Sequence, residues 1–438
     1  MTADKKREVF LPPACLETPG LLRSLVEGFF EKNGFSKEPI SGSVVVFRSS
    51  TKDVVVTCKF YSYKVELLSS HKEMEKISRK VYGYLFSNCV AEPEVAFIVP
   101  LDRSGNPVSI YFESWENVHP APSIDTVAAV FPLLSFFSVY LIGVRLLEAL
   151  LLSPLLSILA LLLVRLWLRI RAVRVDEGSV VVVKAKIRQV GTTSENVYFA
   201  KLDLISSLRR KEGLSKERVA NVLHYWGILT RDVELKTYDF RSIFEKLKLR
   251  KPPSIFLLDD KRRTALSLGL PPAIALTPAL LVDLSEEELA SVLVHEAAHI
   301  RHRDALRALL LITSGLALGA LIYLFSYSIE LLALYAVASY ILTSMLLKSL
   351  EIRADLEAAE AFPEAYRKVL VKLEYPRLVK PTSMLGIVAS ILNVFSYPPP
   401  TVRLKIIEEG CSGKGAVAVA KCLLRCYLCG GGVEGKSR

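Results

Sequence analysis

Residues 285–304 read SEEELASVLVHEAAHIRHRD, and this stretch carries the clearest structural signal in the chain of 438 residues. Ser285 is a favourable helix N-cap, and Glu288 completes a capping box three residues later. Leu284 and Leu289 flank the cap and can form a hydrophobic staple. The stretch therefore predicts a helix that begins after Ser285 and continues through the segment HEAAH.

Two histidines, His295 and His299, lie four residues apart in this helix. That spacing projects both side chains from one face, where they can hold a single metal ion. Glu296 is turned about 100° away and can reach a metal-bound water, which would make it the general base. The alternative is a pair of surface histidines on an amphipathic helix. His302 is expected at the membrane interface, where it could touch a substrate.

A catalytic zinc ion needs a third protein ligand and one open position for water. Residues 351–355 read EIRAD, and they offer Glu351 as that ligand, with Asp355 one helical turn later. A carboxylate next to a ligating histidine fixes the orientation of the ring and raises its basicity, a role that suits Asp355. The alternative is a solvated acidic helix. The expected cofactor is therefore Zn²⁺, held by His295, His299 and Glu351.

Long apolar runs flank the metal-binding helix, in a chain that is 51% hydrophobic. Four runs approach the roughly 20 residues that cross a bilayer: 126–144, 149–164, 308–329 and 331–347. They arrive in two closely spaced pairs, which indicates two transmembrane hairpins. The alternative is a set of buried core helices in a large soluble protein.

Basic residues at the ends of these runs predict the orientation, because cytoplasmic flanks are enriched in lysine and arginine. The catalytic region and both termini should therefore face the cytoplasm, in a multi-pass protein of the plasma membrane. The same bias accounts for the net charge of +11, and no RNA-binding motif or phosphate-binding loop is present. The lipid bilayer is thus an expected partner and nucleic acid is not. The basic flanking residues are Arg165, Arg169, Arg171, Arg174, Arg301, Arg303, Arg307, Lys348 and Arg353.

Changes in composition divide the chain into seven regions. We expect an N-terminal soluble α+β module, a first transmembrane hairpin, an accessory cytoplasmic region, a catalytic part with the histidine helix, a second hairpin, a catalytic part with the third ligand, and a cysteine-containing tail. Their respective boundaries are 1–122, 123–170, 171–250, 251–305, 306–347, 348–408 and 409–438. The first ten residues lack the apolar core of a secretory signal, so the chain is expected to start in the cytoplasm.

These features together resemble the HtpX-like membrane metalloproteases, which are relatives of the CAAX prenyl protease. That family combines a helix carrying HExxH, a transmembrane hairpin, and then a glutamate followed by Ala-Asp. Residues 274–281, IALTPALL, resemble the strand and turn before the family's zinc helix, and Arg303-Asp304 matches its Arg-Asp pair. The resemblance covers residues 126–404 in order of elements. It leaves out the first 120 residues and the tail.

The resemblance implies a mainly α integral membrane protein with a zincin-like α+β catalytic domain and a gluzincin type of zinc endopeptidase. Thr264-Ala265 stands where the family has Asn-Ala before a substrate-binding edge strand, and Arg403 matches a family arginine. These three residues are candidate substrate or oxyanion contacts. His224 and Tyr397 are further candidate oxyanion donors, although Tyr397 replaces a family histidine. Implied substrates are membrane proteins or unfolded polypeptides in quality control.

Other functions compete with this interpretation. A CAAX-type prenyl-protein processing protease would usually have more spans. A non-catalytic zinc-binding membrane adaptor would have no use for Glu296. A lipid- or nucleic-acid-binding role for residues 1–120 would use the positive charge.

The seven cysteines do not form a small secreted disulfide framework, and most are expected to be reduced. Four of them lie near the C-terminus and could bind a second zinc or an iron–sulfur cluster, or simply line one helix face. These four are Cys411, Cys422, Cys426 and Cys429.

Overall fold

The structure is a computed structural model. Two of the predicted regions, the first hairpin and the C-terminal tail, fall largely outside the residues that it describes. The first predicted hairpin, 123–170, is represented only by isolated positions between 152 and 166, and Tyr397, Cys411, Cys426 and Cys429 also lie outside. The described residues are 5–16, 21–41, 43–50, 54–69, 74–89, 94–108, 111–114, 172–175, 178–187, 194–210, 214–247, 252–258, 260, 263–268, 272–326, 328–379, 398–410 and 418–423.

The described residues between 5 and 89 build a five-stranded antiparallel sheet with three helices, here called the N-terminal unit (residues 5–89). Its strand order is β1-β5-β4-β3-β2. Alternating apolar residues of these strands pack on the helices around Phe30 and Phe47, whose rings stack at 4.4 Å. The elements are β1 (Lys5–Phe10), α1 (Pro13–Leu16), α2 (Leu21–Lys32), β2 (Phe35–Ser41), β3 (Val44–Ser49), β4 (Val55–Phe60), β5 (Lys64–Ser69) and α3 (Met74–Asn88).

A second sheet joins strands from both sides of the boundary predicted at residue 122. β6 (Glu94–Leu101) pairs on one side with β7 (Tyr111–Ser114) and on the other with β9 (Ser179–Ile187), which in turn pairs with β10 (Thr230–Asp239). β6 is apolar along nearly its whole length, as expected of a strand with a neighbour on each side and both faces covered. The predicted accessory region and the end of the predicted N-terminal module therefore share one sheet. α4 (Ser194–Arg209) and α5 (Lys216–Tyr225) cover its outer face.

A third sheet lies under the histidine helix. Its order is β12-β13-β11-β8, with β11 parallel to β13 and β12 antiparallel to it at the edge. The second and third sheets share one buried core with the histidine helix. The described residues therefore form a mixed helical and sheet architecture, with long helices, one 5-stranded sheet and two 4-stranded sheets. The strands are β8 (Ala172–Arg174), β11 (Ser254–Leu258), β12 (Ala265–Leu268) and β13 (Ala273–Leu276).

In the described residues, seven further helices lie between residues 240 and 409, and two of them are long and apolar enough to cross a membrane. These two correspond to the predicted runs 308–329 and 331–347, and Ser328 caps the second of them. The second helix does not stop at the predicted end of its span but continues to Ala361. The helices are α6 (Phe240–Lys246), α7 (Pro278–Asp283), α8 (Glu286–His302), α9 (Asp304–Ser326), α10 (Ile329–Ala361), α11 (Pro363–Val379) and α12 (Pro400–Glu409).

Two glycines bring α9 and α10 close together. A Cβ atom at Gly315 would lie 3.1 Å from the Ser339 hydroxyl, and one at Gly319 would lie 3.1 Å from the Tyr335 ring. The Tyr335 hydroxyl donates to the Gly315 carbonyl at 2.7 Å. Small residues four apart permit such close helix packing within a bilayer. The pair therefore has the contacts of a transmembrane hairpin, while most of its surface is uncovered by the described residues.

The structure shows the state of three of the seven cysteines. Cys89 and Cys422 are disulfide-bonded, whereas Cys58 is a free and buried thiol. Pairing of cysteines depends on proximity in the fold, which spacing along the sequence does not reveal. The disulfide also removes Cys422 as a thiolate ligand for a second metal ion in the tail.

A buried ion pair anchors the start of α8 and supports a stability prediction. Lys372 donates to the Glu288 carboxylate at 2.9 Å and to the Asp283 carbonyl at 3.0 Å, and both side chains are buried. Lys372→Met should lower the free energy of unfolding by about 3–5 kcal/mol, because the buried Glu288 carboxylate would lose its cationic partner. Thermal unfolding in detergent measures the loss.

The matched control is Lys246→Met. It removes an exposed ion pair with Glu286, which lies on α8 as Glu288 does. It should cost less than about 1 kcal/mol. Equal losses in both variants would contradict the importance of the buried pair.

Candidate metal centre

The histidine helix forms as the sequence predicts. Ser285 caps α8, accepting a hydrogen bond from the Glu288 amide at 3.3 Å, while the Glu288 carboxylate accepts one from the Ser285 amide at 2.8 Å. The helix ends at Arg303, whose left-handed backbone (φ 54°) turns the chain into α9. His295 and Glu296 are buried on this helix. The helix that the local sequence predicts therefore carries both histidines. It packs between the third sheet and the long helices.

Three side chains converge here, and we call them the His–His–Glu cluster: His295, His299 and Glu351. The two Nε2 atoms are 3.2 Å apart, and Glu351 Oε2 lies 3.7 Å from each of them. This oxygen is buried and has no hydrogen-bond partner among the described residues. Two nitrogens bound to one tetrahedral zinc ion, each at about 2.0–2.1 Å, would be about 3.3 Å apart. The donor set and its spacing thus fit a zinc ion.

The other ring nitrogens of both histidines face acceptors. His299 Nδ1 lies 2.9 Å from Asp304 Oδ2. His295 Nδ1 lies 3.1 Å from Asp355 Oδ1 and 2.8 Å from the Tyr366 hydroxyl. With Nδ1 protonated toward these partners, each Nε2 lone pair points into the cluster, which is the arrangement found around metal-bound histidines. Two lone pairs 3.2 Å apart repel each other unless a cation lies between them.

Charge around the cluster also favours a cation. Burial alone would lower the pKa of His295, but the carboxylates of Asp355 and Glu351 outweigh it and raise that pKa to about 10. Burial opposes charge on Asp355 as well, yet the Arg403 guanidinium holds the pKa of Asp355 far below its usual range. The carboxylates therefore stay ionised and stabilise positive charge at the histidines, whether it is carried by a proton or by a metal ion.

The structure gives Arg403 a different environment from the substrate or oxyanion contact that was expected. Its Nε and Nη2 donate to the two oxygens of Asp355 at 2.7 and 2.6 Å, in a buried bidentate pair. This pair fixes the Asp355 carboxylate that faces His295. Arg403 is thus connected to the His–His–Glu cluster through Asp355.

Thr264 and Ala265 lie at the start of β12, the edge strand of the third sheet. The Thr264 amide donates to the Thr277 hydroxyl at 3.1 Å, and that hydroxyl donates back to the Thr264 carbonyl at 3.1 Å. β12 runs beside α8, which carries the histidines. An edge strand at this position can accept an extended peptide as an additional strand.

The remaining candidates lie away from the cluster or outside the described residues. His302 Nε2 lies 2.6 Å from Glu357 Oε1, a contact that links α8 to α10, and Arg301 donates to the other oxygen of the same carboxylate at 2.8 Å. His224 lies on α5 and accepts from the Thr230 amide at 3.2 Å. Tyr397 falls outside the described residues.

Sequence reasoning missed two contributors. Tyr366 on α11 had no distinguishing signal, since a tyrosine in an amphipathic helix is an ordinary core residue. Arg353, buried on α10, donates to Asp304, the residue that orients His299. Asp304 was noted in the sequence only as part of the Arg303-Asp304 pair. Its position five residues after His299 was the available indication that it contacts that histidine.

Comparison with known proteins agrees with this geometry. A sequence model of the peptidase family M48 matches residues 238–409, which contain every member of the cluster. The chain is 42% identical over 71 residues to a protease HtpX homolog of Acidiphilium cryptum, covering 16% of this chain and 25% of that one. It is 40% identical over 72 residues to the homolog of Ralstonia nicotianae and 38% over 72 residues to that of Burkholderia mallei, with the same coverage.

The chain spans about a quarter of the length of these curated relatives. No solved structure matches it. In the matched residues, the chain resembles the HtpX-like metalloproteases of peptidase family M48.

Proposed function

We propose that this protein is a membrane-embedded, zinc-dependent endopeptidase of the gluzincin type. The observation that carries the proposal is the His–His–Glu cluster, in which two imidazole nitrogens face a buried carboxylate oxygen that has no hydrogen-bond partner among the described residues. Glu296 lies beside it on the same helix. A structural zinc site has four protein ligands, whereas three ligands with an adjacent carboxylate are typical of a hydrolytic site.

The residues divide the chemistry between them. When bound, zinc would polarise the scissile carbonyl and lower the pKa of a water molecule next to it. Glu296 would take a proton from that water as the oxygen attacks the carbonyl carbon. As the C–N bond breaks, Glu296 would deliver the proton to the leaving amine. Asp355 and Asp304 keep the two histidine rings in place throughout.

The substrate is a polypeptide at the membrane surface. Glu351 lies four residues beyond Leu347, the end of the predicted span, which is about 6 Å along the continuous helix α10. Asp304, at the start of the other apolar helix, orients His299. We therefore propose membrane proteins or unfolded chains as substrates, cleaved in quality control, with the backbone of the substrate paired to β12 near Thr264 and Ala265.

The catalytic side is proposed to be cytoplasmic, in a plasma-membrane protein with four spans and no role in nucleic-acid binding. The basic residues at the span ends support this orientation. Disulfide-bonded cysteines such as Cys89 and Cys422 are typical of an oxidising compartment, so the orientation needs a direct test. Labelling of cysteines introduced at the solvent-accessible positions 303 and 328 in intact cells decides the matter: only position 328 should react with an impermeant reagent, and reaction only at 303 would reverse the topology.

Removal of the metal tests the activity itself. Detergent-solubilised full-length protein should cleave an unfolded reporter protein, lose cleavage when a chelator is added, and recover it on addition of Zn²⁺. Cleavage that persists after the chelator has removed all zinc would exclude the proposed metalloprotease.

The competing functions make different predictions for the same preparation. A CAAX-type protease would cleave a prenylated peptide but not the unfolded reporter. A zinc-binding adaptor would retain zinc and cleave neither, and its function would not require the buried carboxylate of Glu296.

A further inference from the structure

We propose that the N-terminal unit, which lies outside the peptidase-like residues 238–409, positions the His295–Asp355 pair by holding Tyr366. The inference rests on the metal site of the proposed function. It assigns a role to the N-terminal unit, which the family model does not cover. It also makes Tyr366 a positioning residue.

Tyr366 touches both members of the pair. Its hydroxyl donates to Asp355 Oδ1 at 2.5 Å and lies 2.8 Å from His295 Nδ1. Its ring stacks on the His295 imidazole, with centroids 5.8 Å apart and planes 22° apart. Arg403 donates to the same hydroxyl at 3.3 Å. Any displacement of the Tyr366 ring would therefore be transmitted to the orientation of His295.

The ring of Tyr366 belongs to the core of the N-terminal unit. One continuous buried cluster contains Tyr366, Leu370 and Val371 of α11 together with the apolar side chains of the five-stranded sheet. Val294, the neighbour of His295, packs against the same cluster. Protein cores are close-packed and deform little. A shift of the five-stranded sheet would therefore also displace the His295–Asp355 pair.

A polar seam, formed by Ser62, Tyr63 and Lys64 with Glu364 and Glu408, connects the same two parts where the link between β4 and β5 meets α11 and α12. Ser62 donates to Glu364 at 2.6 Å, two residues before Tyr366. Tyr63 donates to Glu408 at 2.5 Å, and Lys64 donates to the same carboxylate at 2.6 Å. Lys64 is almost completely buried. The seam thus fixes the beginning of α11 and the end of α12, the helices that carry Tyr366 and Arg403.

Partners that orient a metal ligand typically contribute about 10–100-fold to metal affinity. Tyr366→Phe removes only the hydroxyl, and it should weaken metal binding by about that factor. The double variant Tyr63→Phe/Glu408→Gln removes the Tyr63 hydrogen bond and the charge of Glu408 from the seam, and it leaves the His–His–Glu cluster itself unchanged. It should weaken binding by about tenfold, at the lower end of this range.

The experiment uses full-length protein in detergent, titrated with Co²⁺ in competition with a chelator, and compares dissociation constants and visible absorption bands. Tyr375→Phe is the matched control on α11, since Tyr375 lies in the same core but is not among the partners of His295 or Asp355 in the described residues. Glu409→Gln controls for the seam, because Glu409 is exposed beside Glu408. Thermal unfolding confirms that all variants are folded.

The proposal predicts weaker binding and an altered cobalt spectrum in Tyr366→Phe and in the seam variant, with both controls like the wild type. A wild-type spectrum and affinity in Tyr366→Phe would overturn it. The same result in the seam variant alone would overturn the role of the N-terminal unit. Wild-type protein that binds no Co²⁺ would instead overturn the metal site, and the inference with it.

Discussion

Replacing Glu296 by glutamine is expected to reduce cleavage of an unfolded reporter about 10²–10⁴-fold, the range typical of a lost general base. Bound zinc should stay at one ion per chain, because Glu296 is not a member of the His–His–Glu cluster. Initial rates and metal content are measured on the same detergent-solubilised preparation. The amide keeps the size of the side chain, so the loss would reflect proton transfer and not packing.

Glu287→Gln is the control for this variant, since Glu287 is exposed near the start of the same helix. It should leave both the rate and the zinc content at the wild-type level. Undiminished cleavage by the Glu296→Gln protein would refute the assignment of the base.

The same substitution at Glu351 should have the opposite signature. Glu351→Gln replaces a charged oxygen donor by a neutral one, so zinc affinity should fall by more than the roughly 100-fold reached when an outer partner is lost. Cleavage should fall with it and should recover partly at high Zn²⁺. Glu360→Gln, at an exposed position of the same helix, should behave like the wild type in both assays.

Retention of one tightly bound zinc by the Glu351→Gln protein would contradict the third ligand. The two glutamate variants together separate binding of the metal from use of the metal. Glu296→Gln keeps zinc and loses activity, whereas Glu351→Gln loses zinc first.

The histidine helix could be predicted in detail because its signals are local. The capping box of Ser285 and Glu288 and the spacing of His295 and His299 each depend only on helix geometry. The proximity of Glu351 depends on a long-range contact, yet it could also be predicted, because Glu351 is the first carboxylate after the predicted span 331–347 and the resemblance points to it. Asp355 was placed beside a histidine by the same reasoning, and the structure puts it against His295.

Long-range pairing explains what could not be predicted. Sheet partners are set by tertiary packing, so the pairing of β6 with β9 across the predicted boundary had no local signal. The contact of the N-terminal unit with α11 has the same origin. The role of Tyr366 could be recognised only in the folded structure, where its ring lies in a core built from separate segments of the chain. Arg403 was noticed, but its partner Asp355 could not be inferred without the fold.

The most direct test of the central claim is the zinc K-edge X-ray absorption spectrum of the full-length protein loaded with one zinc per chain. Ligation by His295, His299 and Glu351 predicts imidazole nitrogen and carboxylate oxygen neighbours at about 2.0–2.1 Å. These neighbours should disappear in a His299→Ala protein. A first shell of sulfur at about 2.3 Å, unchanged by that substitution, would place the zinc on cysteines and contradict the proposed metal centre.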